Sequence, residues 1–134
     1  MIIQGGKFID DRGKLLFNNS LNLSETKRMY VVENQDTNVI RAWQAHKVEK
    51  RWFVVIEGQF EIKLVKIDDF ENPSDNLEVD SHLLNAETMD CLTIQPGYAT
   101  SIQALTEKAK LVVFSNYMLG EINDDYKFDS HKWK

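Results

Sequence analysis

His46 is the side chain of this sequence best suited to move a proton, and it stands on a predicted strand among polar neighbours. Gln44 and His46, in the segment RAWQAHK, are two residues apart and therefore share one face of a strand. Tyr98 and Thr100 form a second pair with the same spacing, just after a Pro-Gly turn. Two strands of this kind would aim four polar side chains into one site.

A metal site is the first chemistry that this pattern raises. The general cupin pattern is His-x-His, a carboxylate several residues later, and a third His after a Pro/Gly turn. The matching positions here hold Gln44, His46, Lys50 or Arg51, and Thr100, so one good ligand remains. A cation in the place of the carboxylate would repel a divalent metal. We therefore predict a metal-free site, which disfavours a metal-dependent dioxygenase.

Proton transfer is the second chemistry. A histidine with a pKa near neutrality is suited to carry a proton between carbon and oxygen. Arg41, Lys47 and Arg51 could hold a phosphate or stabilise an enolate. Strict alternation puts Arg41 and Lys47 on the face opposite His46, so Arg41 joins the site only if the strand contains a bulge or starts late. From the residues alone, an ordinary strand-end histidine is an equally open interpretation.

The bulk composition excludes several classes of function. The chain has 134 residues, which suits one domain over 1–134, and its net charge of −5 without a basic run argues against nucleic-acid binding. No apolar run is long enough for a membrane span, and the first residues lack a signal-peptide pattern, so we expect a cytoplasmic protein. The single cysteine, Cys91, stands in an apolar segment and is predicted to be a buried filler.

Alternation of apolar and polar residues predicts strands throughout the chain. Phe60, Ile62 and Leu64 fall on one face, and the preceding RWFVVI run is β-branched and aromatic. The Glu57–Gly58 pair between these two strands predicts a hairpin turn with a positive φ at the glycine. No helical stripe occurs, so short strands at regular spacing predict an antiparallel sandwich or small barrel. The polar segment DDFENPSDNLEVDSHLL is predicted to be a loop, and the aromatic tail to lie across the barrel or a partner chain.

Several segments carry a family resemblance, in the order FIDDRGKLLF, KRMYVVEN, IRAWQAHKVEKRWFVVIEGQFEI and IQPGYATSIQAL. They resemble, over nearly the whole chain, the RmlC-like cupins that act on nucleotide-linked sugars. The ketoisomerase (WxcM-like) motif Arg-Gly-x-His-Ala-His-Lys stands here as RAWQAHK, and Lys-Arg-x-Tyr as KRMY. The Asp-x-Arg-Gly motif of the dTDP-4-dehydrorhamnose 3,5-epimerases is similar to DDRG here, and Arg51 stands where the epimerases have a lysine.

The resemblance implies a fold and a chemistry. The fold is an all-β cupin jelly roll, a double-stranded β-helix barrel of antiparallel strands, paired as a homodimer that would let Arg12 reach a neighbouring site. In the chemistry, a base removes a proton beside the ketone of a nucleotide-linked 4-keto-6-deoxyhexose, of the dTDP type, and an enolate or enediol forms. No cofactor is needed, and the expected setting is surface polysaccharide biosynthesis.

The sequence departs from this family at the base. In both branches the first histidine of the motif is the main base, and here it is Gln44, which cannot accept a proton; the second-strand histidine of the epimerases is Thr100. Our leading hypothesis is a metal-independent isomerase or epimerase with His46 as base and Tyr30 or Tyr117 as acid. The predicted substrate-binding residues are Arg12, Arg41, Gln44, Lys47, Arg51, Tyr98 and Thr100. The alternative is a non-catalytic cupin that binds a sugar nucleotide or a partner enzyme.

Overall fold

The computed structural model describes residues 1–134 and consists of strands joined by turns and loops. No helix that could cross a membrane is present. The strands in chain order are β1 (Ile2–Ile3), β2 (Gly6–Asp10), β3 (Gly13–Phe17), β4 (Arg28–Val32), β5 (Ile40–His46), β6 (Arg51–Glu57), β7 (Gln59–Lys66), β8 (Asp80–Asn85), β9 (Cys91–Ile94), β10 (Tyr98–Ala104), β11 (Lys110–Ser115) and β12 (Tyr126–Lys127).

Two five-stranded antiparallel sheets pack face to face. One has the order β1-β9-β6-β11-β4 and the other β12-β5-β10-β7-β8, while β2 and β3 form a separate hairpin. The main core of 14 buried residues lies between the sheets and includes Phe53, Phe60, Ile62 and Leu111. This architecture confirms the predicted antiparallel all-β fold of the jelly-roll type.

The predicted hairpin at Glu57–Gly58 is wrong in one respect. Gly58 does take a positive φ, of 70°, but β6 and β7 belong to different sheets and do not pair with each other. The turn is a corner that carries the chain from one sheet to the other. Alternation shows which residues are apolar on a strand, but it contains no information about which strand lies beside it.

The segment predicted as one long polar loop contains β8. This strand pairs with β7 along its whole length, but it is an edge strand and three of its six residues are exposed. An edge strand with few apolar residues gives no alternating signal, so the sequence pattern concealed it. The β2–β3 hairpin was not predicted as strands either, and it too is largely exposed.

The C-terminal tail lies across the molecule, as predicted. Its strand β12 pairs with β5, and Trp133, which is 4% exposed, packs edge-on against Trp43 with ring centroids 5.4 Å apart. These two tryptophans belong to a second apolar cluster on the outer face of the sheet. The tail thereby supplies the short edge strand next to β5, the strand that carries Gln44 and His46.

Candidate active site

A bulge in β5 brings Arg41 and Gln44 to the same cavity. Against β10, Gln44 pairs with Thr100, but Arg41 pairs with Ile102, so three steps along β5 match two along β10. The extra residue places the Arg41 side chain on the face opposite to the one that strict alternation predicts. Arg41 and Gln44 both line a cavity of about 400 Å³ between the sheets.

This first cavity is lined by cations and lacks acids, and we refer to it as the cationic cavity. Its polar lining consists of Tyr30, Arg41, Gln44, Arg51, Thr100 and Lys127, and the rest is apolar. Because no carboxylate is among the lining residues, three positive charges share the space uncompensated. Such a cavity favours an anion of the size of a phosphate or diphosphate.

Arg51 is the most unusual of these residues because it is buried. The residue is 2% exposed, its Nη2 donates to Thr100 Oγ1 at 3.3 Å, and its guanidinium lies 5.1 Å from the centre of the Phe53 ring. None of the ion pairs of the molecule includes Arg51. A buried charge without a counter-ion costs several kcal/mol of folding free energy, so an anionic ligand is the partner that its position suits.

His46 lines a second cavity of about 370 Å³, which we refer to as the histidine cavity. Tyr30 and Gln44 line both cavities and stand at their junction. His46 is 8% exposed, and its Nδ1 lies 2.7 Å from the carbonyl oxygen of Asp124. A carbonyl only accepts, so Nδ1 carries the hydrogen, and Nε2 of the neutral ring keeps its lone pair.

The pKa of His46 lies below its ordinary value. Burial disfavours the charged ring, and the Arg51 guanidinium repels it; the Glu49 and Asp124 carboxylates and the Asp124 carbonyl act in the opposite direction. The net effect keeps the imidazole neutral near pH 7. A neutral ring with a free Nε2 is the form that accepts a proton.

Asp124 holds the segment that follows His46. This 7%-exposed carboxylate accepts backbone hydrogen bonds from Lys47, Val48 and Glu49 at 2.8–2.9 Å, while its own carbonyl accepts from His46. One residue of the tail therefore fixes both the imidazole and the turn after it. Next to it, Asp125 accepts from Gln44 Nε2 at 2.8 Å, which fixes the orientation of that amide.

Glu49 is the third carboxylate of the histidine cavity. It is 6% exposed, and its Oε1 lies 3.9 Å from His46 Nδ1. Its Oε2 lies 3.5 Å from Nη2 of Arg28, whose Nε donates to the Tyr117 carbonyl at 3.1 Å. The His46–Glu49 turn thus places a base and a carboxylate side by side under one cavity.

The structure brings six of the ten predicted site residues together. Tyr30, Gln44 and His46 line the histidine cavity, and Arg41, Arg51 and Thr100 join Tyr30 and Gln44 in the cationic cavity. The arrangement therefore contains a neutral base, a phenol, an amide and two predicted cations within two adjoining spaces.

The other four predicted residues lie outside both cavities. Arg12 is 84% exposed in the β2–β3 turn, where it pairs with Asp10 at 2.6 Å. Lys47 is exposed with its Nζ 5.7 Å from the centre of the Phe70 ring, and Lys27 Nζ lies 5.8 Å from that of Tyr117. Tyr98 lines a separate cleft of about 330 Å³ with Asp80 and His82. Alternation predicts on which face of a strand a side chain lies, but it does not predict whether that side chain reaches a cavity.

Sequence reasoning missed five residues of the site. They are Arg28, Glu49, Asp124, Asp125 and Lys127. Glu49 follows His46 by three residues and could have been noticed on spacing alone. The three tail residues reach the site only because β12 pairs with β5, which no local pattern indicates.

The side chains in these cavities do not form a metal-binding set. No three His, Cys, Asp or Glu side chains anywhere in the structure are grouped so that they could hold a metal ion. Cys91, predicted as a buried filler, is fully buried, and burial raises the pKa of its thiol to about 12. That thiol is inert as a ligand or nucleophile at neutral pH.

The sequence matches one family model over its full length. The FdtA model, described as WxcM-like, C-terminal, matches residues 1–134. No curated protein matches the sequence.

Solved structures with a similar fold include 3,4-ketoisomerases and a 3,5-epimerase. A 3,4-ketoisomerase from Helicobacter canadensis is 23% identical, with a TM-score of 0.73 over 96% of this chain and 90% of that one. A variant of the 3,4-ketoisomerase QdtA from Thermoanaerobacterium thermosaccharolyticum, in complex with TDP-4-keto-6-deoxyglucose, is 22% identical, with a TM-score of 0.72 over 96% and 86%. A dTDP-4-dehydrorhamnose 3,5-epimerase from Bacillus anthracis is 16% identical, with a TM-score of 0.73 over 94% and 76%. At these identities the likeness shows the RmlC-like cupin fold alone.

Proposed function

The chain belongs to the FdtA family (WxcM-like, C-terminal), and on that premise we propose that it isomerises or epimerises a nucleotide-linked 4-keto-6-deoxyhexose, with dTDP as the nucleotide. The reaction starts with removal of the proton beside the ketone and needs no cofactor. The predicted setting is surface polysaccharide biosynthesis. Relatives of the same fold include a ketoisomerase seen with TDP-4-keto-6-deoxyglucose, which supports this substrate class.

One observation carries the proposal: a buried, unpaired guanidinium beside a neutral imidazole. Arg51 is near enough to His46 to lower its pKa, and no carboxylate pairs with Arg51. Removal of a proton next to a ketone makes an enolate, whose negative charge an unpaired buried cation stabilises strongly. Burial of the ring and, after it, this cation lower the pKa of His46, which keeps the base unprotonated before the reaction begins.

In this proposal each cavity binds a different part of the substrate. The histidine cavity would take the sugar ring, with His46 Nε2 as the base at carbon. The cationic cavity would take the diphosphate, held by Arg41 and Lys127. Tyr30 stands at the junction of the two cavities and would donate to the enolate oxygen, and Gln44 would hydrogen-bond a sugar hydroxyl.

We propose that the working form is a homodimer. The β2–β3 hairpin exposes Phe8, Ile9 and Leu15, which are 56%, 63% and 62% exposed, and it carries Arg12 at its tip. Apolar side chains on a projecting hairpin favour contact with a second copy, and such contact would carry Arg12 toward the neighbouring site. Light scattering of the purified chain tests this, because a monomer at micromolar concentration would contradict it.

A non-catalytic binder is the second candidate, and Gln44 is the observation that favours it. The amide accepts no proton, and Asp125 holds it in place. A binder of this kind would take up the sugar nucleotide without turnover. If Gln44→His gained activity from a wild-type level of zero, the binder would be favoured over the enzyme.

Conversion of dTDP-4-keto-6-deoxyglucose tests the proposed activity. Wild-type protein is expected to convert the substrate to a product with a shifted ketone or an inverted centre, followed by NMR. His46→Ala should lower turnover by about 10²–10⁴-fold while leaving the fold intact. His131→Ala, on an exposed histidine of the tail, is the matched control and should behave as wild type. Equal turnover by the His46 variant would exclude its role as the base.

A further inference from the structure

The histidine cavity contains a carboxylate that can replace the proton-transfer capacity lost at Gln44. We propose that Glu49 is a second catalytic residue, which carries a proton between two neighbouring substrate oxygens while His46 carries the proton at carbon. This inference rests on the proposed function and narrows it to a ketoisomerase, because an epimerase has no need to move a proton between oxygens.

Position is the first support. Glu49 follows His46 by three residues on the same turn, and both side chains line the histidine cavity. Its Oε1 lies 3.9 Å from His46 Nδ1, and because both side chains line the histidine cavity, a substrate that fills this cavity would contact both of them. Asp124 anchors this turn through the backbone nitrogen of Glu49, which gives the two side chains a fixed relation.

Free acceptor capacity is the second support, because it separates Glu49 from the other two carboxylates. Asp124 is occupied by three backbone N–H groups, and Asp125 is exposed and accepts from Gln44. The carboxylate of Glu49 is buried, and its nearest donor, Arg28 Nη2, is 3.5 Å away. It therefore keeps lone pairs for a substrate hydroxyl inside a desolvated site, where acid–base groups are most effective.

The chemistry requires such a group. A ketone moves to the adjacent carbon only if the hydroxyl on that carbon loses its proton. Arg28 and Arg51 do not exchange protons at useful pH, and Gln44 cannot accept one. Tyr30 is suited to donate to the enolate oxygen, but the hydroxyl needs an acceptor. Glu49 is the buried carboxylate in place to accept that proton.

The proposed steps balance in atoms and charge. His46 Nε2 takes the proton from the carbon that bears the hydroxyl; the C–H electrons form a C=C bond, and the carbonyl oxygen becomes an enolate. Glu49 takes the hydroxyl proton and returns it to that enolate oxygen. The new oxyanion forms the second C=O bond, while the C=C electrons take the proton back from His46 at the former carbonyl carbon. Both residues end as they began, and the sugar has undergone no net oxidation.

The test separates the two proton transfers. Wild-type protein and Glu49→Gln are incubated with dTDP-4-keto-6-deoxyglucose in D₂O, and NMR follows both the loss of the carbon-bound proton and the formation of the 3-keto product. Glu49→Gln should retain deuterium uptake within a few-fold of wild type but lower ketone transfer by about 10²-fold or more. Glu57→Gln, on an exposed glutamate with a distant lysine partner, is the control and should match wild type.

Four results would overturn the inference. Ketone transfer by Glu49→Gln at the wild-type rate would remove Glu49 from the mechanism. Equal loss of uptake and transfer in a folded Glu49→Gln would mean that the residue acts through His46. Deuterium uptake by the wild type without any ketone transfer would identify an epimerase, which excludes this role of Glu49 but keeps the proposed function. A wild type that shows neither uptake nor transfer would contradict both the inference and the proposed function.

A second variant guards against misfolding. Glu49→Asp keeps the charge beside Arg28 and withdraws the carboxylate by one methylene. It is expected to reduce ketone transfer more than deuterium uptake, and an equal effect on both would count against the inference.

Discussion

Arg51 on β6 donates from Nη2 to Thr100 Oγ1 on β10 at 3.3 Å, and this contact joins the two sheets across the barrel interior. Thr100 in turn donates to the carbonyl of Gln44 at 3.4 Å. A buried cation is therefore tied to the strand that carries His46, although its charge has no counter-ion. The relationship connects the fold to the proposed chemistry, because the position of the charge is fixed before any ligand binds.

Replacement of this charge should separate stability from function. Arg51→Met removes a buried, uncompensated cation and leaves Thr100 with its bond to Gln44, so the free energy of unfolding should stay unchanged or rise by about 1–4 kcal/mol. Affinity for the dTDP-sugar should fall at least about tenfold, because a charge-assisted hydrogen bond is worth about 1.5–3 kcal/mol. Urea denaturation and calorimetric titration measure the two quantities. A variant that unfolds more easily and binds normally would contradict the assignment of Arg51 to the ligand.

The pH dependence should report on His46. The neutral ring is the active form, so kcat/KM should be full above pH 6.5 and decline as the pH falls through a pKa below 6.5. The unfolded chain takes up this proton first, so the contribution of His46 to stability is present above pH 6.5 and is lost as the pH falls.

His82 also has a pKa lowered by burial, so the wild type must be compared with a variant. The difference in free energy of unfolding between wild type and His46→Asn, measured by urea denaturation at several pH values, isolates His46. A difference that does not shrink as the pH falls would show that the His46 pKa is not lowered.

Removal of the Asp124 carboxylate should damage the turn that carries Glu49. Asp124→Ala leaves one buried and two partly buried backbone N–H groups without their acceptor, and an unsatisfied buried group costs about 1–3 kcal/mol. We expect a loss of at least about 3 kcal/mol in the free energy of unfolding. Asp36→Ala is the matched control, because Asp36 accepts from two backbone N–H groups at an exposed site and should cost about 1 kcal/mol. Similar losses for both variants would contradict the clamping role.

The corner at Gly58 should tolerate no side chain. Its φ of +70° disfavours other residues, and a Cβ there would collide with the carbonyl oxygen of Lys108 and the hydroxyl of Thr106. Gly120 has a similar φ of +78° but open space around it, so Gly120→Ala carries the backbone cost alone, about 1–2 kcal/mol. Gly58→Ala should be more destabilising than Gly120→Ala by thermal unfolding. Equal melting temperatures would show that the corner is not tightly packed.

The sequence predicted the strands that fill the core better than the way in which they pair. Alternating Phe60, Ile62 and Leu64 identified β7 correctly because half-buried strands carry a period of two. The Glu57–Gly58 pair before it implied a β6–β7 hairpin, but the structure puts these strands in different sheets. Pairing depends on contacts between residues far apart in the chain, which local periodicity does not encode.

Local sequence patterns also predicted only part of the candidate site. Gln44, His46 and Thr100 were found because they alternate on strands, and Arg51 because it stands where the cupin pattern has a carboxylate. Arg41 joins them only through a bulge that alternation alone did not predict. The clamp at Asp124 belongs to the tail, more than seventy residues from His46 along the chain. Residue spacing predicts neither a bulge nor a long-range contact with a backbone carbonyl.

Deuterium exchange measures the proposed proton abstraction at His46 most directly. Purified protein and its His46→Asn variant are incubated with dTDP-4-keto-6-deoxyglucose in D₂O, and the sugar C–H signals are followed by NMR. We predict that deuterium enters beside the ketone in the wild type and about 10²–10⁴-fold more slowly in the variant. Equal exchange rates in the two proteins, or no exchange in a wild type that binds the nucleotide, would contradict proton abstraction by His46.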